Sequence, residues 1–386
     1  MSHGKIEAAL CAVLRQMGVE QPTVQLERPR DLSHGDVASN VAMTLARELK
    51  RSPRQIAEQI AESLDLEAAG VEAVEVAGPG FLNFRLSSGV VASVLRGILV
   101  RDEAWGRSET GGGERVMVEF VSANPTGPLH IGHGRQAALG DAIASLLTWT
   151  GWQVHREFYY NNVGLQMESL ALSVHARYLQ HFGLEAEIPE GGYHGGYITE
   201  IAEGLAQEVG DRYVRDFAEQ SLDEIRAFVV PILRAEQDRD LNDFRVFFDE
   251  FYLESSLYSE GRVEAAIQAL KDTGLVYEHE GATWFKTTEF GDQKDRVMVR
   301  SNGLPTYFVP DVAYHLHKWQ RGFHRVINVQ GSDHHVTVDR VRGGTQALGL
   351  PEGFPEYVLH QMVRATRDGE DVKFSKRAGS ALSLRE

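Results

Sequence analysis

Residues 116–160 constrain the fold most. Val116 to Val121 is an apolar run of strand-forming residues, followed by a loop with Asn124, Pro125, Gly127 and Pro128. Leu139, Ala142, Ile143, Leu146 and Leu147 then recur at helical spacing. Gly151 ends that pattern, and Val154 to Tyr160 reads as a second strand. Strand, loop, helix, strand is one βαβ unit, with parallel strands and a right-handed crossover. The expectation is an α/β domain on a doubly wound parallel sheet. In such a sheet ligands bind at the strand carboxyl ends beside the switch point, which marks the loop after the first strand for a nucleotide phosphate.

The rest of the chain is organised around that unit. Residues 1 to about 110 read as a small α+β domain. Val37, Val41, Leu45 and Leu49 follow a four-residue spacing, one face of a helix. Ser52, Pro53 and Gln55 spell a capped helix start, and Ile56, Ile60 and Leu64 continue its apolar face. VEAVEVAGPGFLNFRLS reads as two strands around Gly78-Pro79-Gly80. Gly111-Gly112-Gly113 is the linker candidate, and residues 111–386 form the second domain. Residues about 165–290 read as one helical insertion between halves of the sheet, with further strands at 325–329 and 357–360.

Bulk numbers exclude several classes. The 386 residues carry 39 Lys and Arg against 55 Asp and Glu, a net charge of −16. That argues against coating nucleic acid by bulk charge, though not against a local basic surface. After Gln361, for example, Arg364, Arg367, Lys373, Lys376, Arg377 and Arg385 face four acids, a bias that a solvated loop would also show. The single cysteine, Cys11, rules out a disulfide framework or a zinc site of clustered cysteines. There is no secretory signal and no apolar run of membrane-spanning length. A reducing cytoplasm fits these features.

The chemistry concentrates in EFVSANPTGPLHIGHGR, residues 119–135. Gly132 and Gly134 keep side chains out of the way of a ligand, and the helix that follows points its N–H groups at the loop, an anion site. Alone, His130 and His133 read more readily as capping or packing residues. About 240 residues on comes VKFSKRAGS, residues 372–380, whose Lys373 and Lys376 flank a short turn and suit a triphosphate. His130-Ile-Gly-His133 reads as the first signature of the class I aminoacyl-tRNA synthetases, and VKFSKRAGS is similar to their lysine loop, with Phe374 where methionine is usual. The resemblance implies a Rossmann-type sheet. An amino-acid carboxylate is already ionised at neutral pH, so activation needs positioning and donors rather than a general base. We find no Ser-His-Asp set and no nucleophilic cysteine. No resident metal or organic cofactor is expected, and magnesium would arrive with ATP.

Several blocks resemble arginyl-tRNA synthetases of bacterial type: GDVASNVAMTLAREL, SPRQIAE, VAGPGFLNF, the 119–135 stretch, residues 290–316, and VINVQGSDHH. The resemblance implies ATP, L-arginine and the arginine tRNA as partners, a monomer, and residues 1–110 contacting the tRNA elbow. It places ATP against Gly127, His130, Gly132 and His133, with His360, Gln361 and Met362 at the adenine. Lys373 and Lys376 fall on the phosphates, and His130, His133 and both lysines are the catalytic set. Glu119, Ser122 and Asn124 are expected at the arginine, Asn124 at its α-amino or carboxylate end. Tyr307 and Asp311 are expected at the guanidinium, where a carboxylate can accept two parallel bonds that lysine cannot supply. Asp333, His334 and His335 suggest a metal in isolation; the resemblance makes them a strand-end loop near substrate. Gln330, Gly331 and Ser332 depart from the commoner family sequence, leaving that loop's contacts open. The family's helical anticodon-binding domain is not found before Glu386. In this family activation usually requires bound tRNA. A nucleotidylyltransferase sharing the first histidine signature and a non-catalytic tRNA-binding module are the rival readings; the long insertion opposes the first and the two intact signatures the second.

Overall fold

The computed structural model describes residues 2–367, 370–372 and 382–386. The chain divides into two units, Met1–Gly106 and Arg107–Glu386.

The first unit runs α1 (Ser2–Gln16), β1 (Val37–Ser39), α2 (Val41–Thr44), α3 (Pro53–Ser63), α4 (Leu66–Ala69), β2 (Val71–Ala77), β3 (Phe81–Leu86) and α5 (Ser88–Arg101). Its antiparallel sheet has the order β1-β3-β2. Ile6, Leu10 and Leu14 of α1 meet Ile56 and Ile60 of α3 and Phe84 of β3 in one core. The capped start at Ser52 is present: its Oγ accepts from Gln55 N and its N–H donates to Gln55 Oε1, both at 3.3 Å. The expected helix through Val37 is not. Val37 pairs with Phe84 and Ala38 with Asn83, so the backbone there is strand. Ser39 Oγ accepts the Val41 N–H and starts the helix only at that point. Val37 and Val41 both stay buried, which preserved the spacing while the local conformation changed.

The second unit carries a five-stranded, all-parallel sheet of order β11-β10-β4-β5-β6. Its elements are β4 (Arg115–Glu119), α6 (Ile131–Trp149), β5 (Gln153–Tyr160), α7 (Leu165–His181), α8 (Gly196–Val209), α9 (Arg212–Arg215), α10 (Glu219–Asp243), β6 (Glu250–Leu253), α11 (Glu254–Ser259), α12 (Arg262–Asp272), β7 (Val276–His279), β8 (Ala282–Phe285), β9 (Arg296–Val299), α13 (Phe308–Gln320), β10 (Val326–Gly331), α14 (His335–Ala347) and β11 (Glu356–His360). The strands run outward from β4 through β5 to β6, then resume on the other side of β4 with β10 and β11. The β4/β10 pair is therefore the switch point, where the following loops part and leave a crevice.

Two expectations change. Residues 165–290 are not one helical insertion. Helices α7 to α10 have a core of their own around Leu170, Val174, Ile198, Leu205, Ile225 and Val229. The chain then rejoins the main sheet as β6, and β7 to β9 form a separate antiparallel sheet. Four residues, Glu250–Leu253, were too short a strand to stand out between helical patterns. The glycines at 111–113 are also no open linker, since Gly111 N and Gly113 N donate to the carbonyls of Thr150 and Gly151.

Helix α6 buries Gly134, Ala137, Gly140 and Ala144, while Ala142 and Leu146 of the expected face are exposed. Small residues are required because Phe120 lies flat against the helix. A Cβ at Gly140 would stand 2.2 Å from Phe120 Cγ. Gly140→Ala is therefore expected to cost about 1–3 kcal/mol by overpacking. Leu146→Ser, on the exposed side, should stay within about 0.5 kcal/mol. Denaturant melts of both variants check this, and equal stabilities would contradict the packing described.

Candidate active site

The crevice holds a cavity of about 480 Å³. Its walls come from the loop after β4 (Ser122, Asn124, Thr126), the first turns of α6 (His130, Gly132, His133, Gln136), Gln166 and Tyr193 of the helical region, Gly331, Asp333 and His334 at the end of β10, and His360, Met362 and Val363 at the end of β11.

The two signature histidines both cap the helix and face the cavity. His130 Nδ1 accepts from Gly132 N and His133 Nδ1 from His130 N, each at 3.1 Å, satisfying two of the orphan donors of the first turn. The rings stack with centroids 3.7 Å apart. Because each Nδ1 is an acceptor, these hydrogen bonds assign the ring hydrogen to Nε2. Both imidazoles thus present N–H donors as neutral rings.

The loop before them is strained. Val121 and Ser122 have φ of +67° and +42°, left-handed values that a β-branched residue rarely adopts. Ser122 Oγ donates to Glu119 Oε1 at 2.8 Å and accepts from Tyr159 N at 3.2 Å. The Gln136 amide, with its nitrogen toward Val121 O at 2.9 Å and its oxygen toward Gly331 N at 3.3 Å, spans the β4 and β10 loops.

Of the residues expected at the site, Ser122, Asn124, His130, Gly132, His133, His360 and Met362 meet at this cavity. Gln361 lines a neighbouring cavity with Gly134, Met362 and Leu384. Gly127 does not reach the main cavity: it is buried under Tyr197, whose Oη would lie 2.8 Å from any Cβ there. Glu119 is likewise no open contact. It is nearly fully buried, with one oxygen taken by Ser122 and the other by Lys318 Nζ at 2.5 Å. A carboxylate in that setting demands such pairing. Tyr307 is 61% exposed and Asp311 sits in the first turn of α13, both outside the cavity walls. Lys373 and Lys376 lie outside the described residues.

Beside Ser122, past Tyr159, lies an acid pair of which the sequence reading saw only one member. Burial pushes the Glu254 carboxyl up to about 7, with the Tyr159 hydroxyl offsetting part of the cost. Burial also pushes Asp311 up to about 7; Arg340 lowers it, and Glu254 and Glu119 raise it further. Gln136, Gln166 and Tyr193 were missed as well. Gln136 alone had a signal, one turn beyond His133 on the same helix face.

Among the described residues one group has metal-like spacing, His155, Glu157 and Glu250. The Arg321 guanidinium occupies it, with Nη2 at 2.6 Å from both carboxylates.

A parallel sheet with its cavity at the switch point, and a His-x-x-His turn opening the helix after the first strand, define the class I aminoacyl-tRNA synthetase architecture. Residues 4–86 match the family model described as the arginyl tRNA synthetase N terminal domain, and residues 94–386 match that of the class I (R) tRNA synthetase catalytic domain. The chain belongs to the arginyl-tRNA synthetase family. It is 54% identical over 376 residues to the arginine–tRNA ligase of Cupriavidus necator, across 95% of this chain and 63% of that protein. Identity to the Burkholderia pseudomallei arginine–tRNA ligase is also 54%, with the same coverage. The chain thus spans about 63% of the length of the curated relatives it matches. The arginyl-tRNA synthetase of Thermus thermophilus shares the fold, with a TM-score of 0.67 at 24% identity over 92% of this chain and 65% of that one. No helix among the described residues is long and apolar enough to cross a membrane.

Lys318 has no exposed surface, so removing its charge strands Glu119. Lys318→Met is expected to cost about 3–5 kcal/mol. Adding Glu119→Gln should recover a large part, which a double-mutant cycle by urea unfolding measures; simple additivity would show that the pair is not coupled.

Proposed function

We propose that the protein activates arginine with ATP and passes the arginyl group to the arginine tRNA. The observation that carries this reading is the His130–His133 turn at the N-terminus of α6, which lines the switch-point cavity. ATP enters with its magnesium as substrate. One oxygen of the arginine carboxylate attacks the α-phosphorus. The bond from that phosphorus to the bridging oxygen breaks, and pyrophosphate leaves with the electron pair. A terminal ribose hydroxyl of the tRNA then attacks the arginyl carbonyl, loses its proton, and AMP departs.

Each group has a role in that scheme. His130 and His133 donate to phosphate oxygens as charge builds. Lys373 and Lys376 serve the leaving pyrophosphate, and His360, Gln361 and Met362 the adenine. Asn124 gives its Nδ2–H to Gln166 Oε1 at 2.6 Å, so Oδ1 faces outward, an acceptor suited to the α-ammonium of arginine. Asp311 and Glu254 take the guanidinium, with Tyr307 over it. Glu119 acts by holding Ser122. In the unit 1–106, a cavity of about 400 Å³ lined by Arg30, His34, Phe81 and Asn83 offers charge, a stacking face and an amide to the tRNA.

Arginine-dependent ATP–pyrophosphate exchange, with and without arginine tRNA and with lysine as control, tests the reading; exchange with lysine, or neither exchange nor binding of arginine and ATP, would overturn it. His133→Asn keeps an acceptor for the His130 N–H but removes the Nε2–H. It should lower adenylate formation about 10²- to 10³-fold with an unchanged melting temperature.

The acids set a pH dependence. Both are protonated below about 7 in the unliganded protein, and a guanidinium prefers them ionised. Arginine affinity should therefore rise from pH 6 to 8, with proton release on binding. Stability of the unliganded protein moves the opposite way. The folded state holds protons that the unfolded chain gives up near pH 4, so its stability falls as pH rises through 7. Calorimetry in buffers of different ionisation heat reads the released protons, and Asp311→Asn should remove part of the signal while leaving ATP affinity intact.

A further inference from the structure

The loop that carries Ser122 and Asn124 is strained at Val121 and Ser122, and its own short-range bonds, Ser122 N to Phe120 O and Thr126 N to Asn124 O, are joined by bonds from distant elements. Left-handed φ at two consecutive non-glycine residues is costly and persists only where the surroundings over-determine it. Part of that restraint comes from the sheet, through Glu119, Tyr159 and Gln136. The rest comes from the helical region. Tyr197 of α8 donates its hydroxyl to Thr126 O at 2.7 Å. Gln237 of α10 donates Nε2 to Gly127 O at 2.8 Å and to Asn124 O at 3.2 Å. Gln166 of α7 takes the Asn124 amide. Three helices thus reach the three carbonyls and one side chain of residues 124–127. Gln237 is completely buried, and its Oε1 has no hydrogen-bond partner among the described residues. A buried amide that leaves its own acceptor unsatisfied in order to serve two loop carbonyls is costly to keep for packing alone. The close approach at Gly127, where no Cβ fits beneath Tyr197, fixes the loop against the same helices.

We propose that Tyr197 and Gln237 are positioning residues that fasten the amino-acid loop to the α7–α10 region, so that whatever moves those helices moves Asn124 and Ser122. The inference rests on the functional reading above for the ligand, not for the clamp. Neither residue touches the reacting atoms.

The test compares Tyr197→Phe, which keeps the ring over Gly127, and Gln237→Met, which keeps the side-chain length, with Tyr213→Phe. The last loses a hydroxyl bond to Glu224 in the same helical region, 2.7 Å long, far from the loop. Hydrogen exchange is followed on the peptide covering residues 121–131, and arginine and ATP affinities are measured by calorimetry. Expected are exchange at least about fivefold faster and arginine binding about tenfold weaker in the first two variants, with Tyr213→Phe unchanged. Unchanged exchange in both variants overturns the clamp. Faster exchange with arginine affinity unchanged overturns the positioning role. Equal loosening in Tyr213→Phe also overturns it, because the effect would then be general destabilisation. If the unsubstituted protein binds neither arginine nor ATP, the functional reading falls and takes the positioning role with it, while the exchange data still decide the clamp.

Discussion

A lysine ammonium with no surface open to water sits at the switch point of the sheet. Lys318, on α13, donates to Glu119 at the end of β4 and to Asn328 of β10 at 3.1 Å, and lies 4.1 Å from the centre of the Tyr314 ring. These two strands are the pair between which the connection reverses. Burying that charge is tolerable only while both acceptors stay in place. The lysine therefore fixes the spacing of β4 and β10 just where their loops must part. Glu119 passes the constraint on, since its second oxygen holds Ser122. One turn further along the chain, Arg321 does the same for β5 and β6 through Glu157 and Glu250, and Tyr314 Oη adds a 2.5 Å bond to Glu157. Four of the five strands are tied by charges delivered from the C-terminal end of one helix.

The loop after β4 is where these ties become a site. Its first residues are bent into a conformation their side chains oppose, and the bend turns the chain from the strand end into the first turn of α6. A relaxed loop would not bring Ser122 and Asn124 to the same cavity as His130 and His133. The strain is sustained because independent elements hold the loop: β4 through Glu119, β5 through the Tyr159 N–H, α6 through Gln136, and three helices of the α7–α10 region.

Local signals in the sequence marked much of this. Phe120 and the small residues of α6 lie in a βαβ unit whose strand, loop and helix periods were all plain, and Ser52-Pro53-Gln55 announced its capping box. What failed did so for tertiary reasons. Val37 obeys a helical spacing yet pairs with Phe84, because strand pairing outweighed local preference. Leu146 has the right period but the wrong face, because Phe120 leaves no room for a Cβ at Gly140 on the buried one. Glu250–Leu253 is a sheet strand too short to read. At the site, His130 and His133 line the cavity; spacing alone leaves them as capping residues, and their expected role rests on the family resemblance. Lys318, Glu254, Tyr197 and Gln237 were not legible, since each acts through a contact with residues tens of positions away or more, and such partners leave no local pattern.

The charges explain why the signature histidines matter despite being neutral. The chain carries a net −16, and Lys318 and Arg321 are already committed to buried carboxylates of the sheet. In the proposed function, what the described part of the pocket offers an anion is the pair of signature imidazoles. Neutral donors of this kind bind a resting triphosphate less strongly than fixed cations would. Their advantage is geometric: both rings are locked by their own Nδ1 atoms, so they need no reorganisation as charge grows on the oxygens. Interactions that strengthen between ground state and transition state speed the chemical step, whereas equal binding of both does not. In the proposed reaction, the capping bonds that give the histidines a structural role are thus also what fit them for a chemical one.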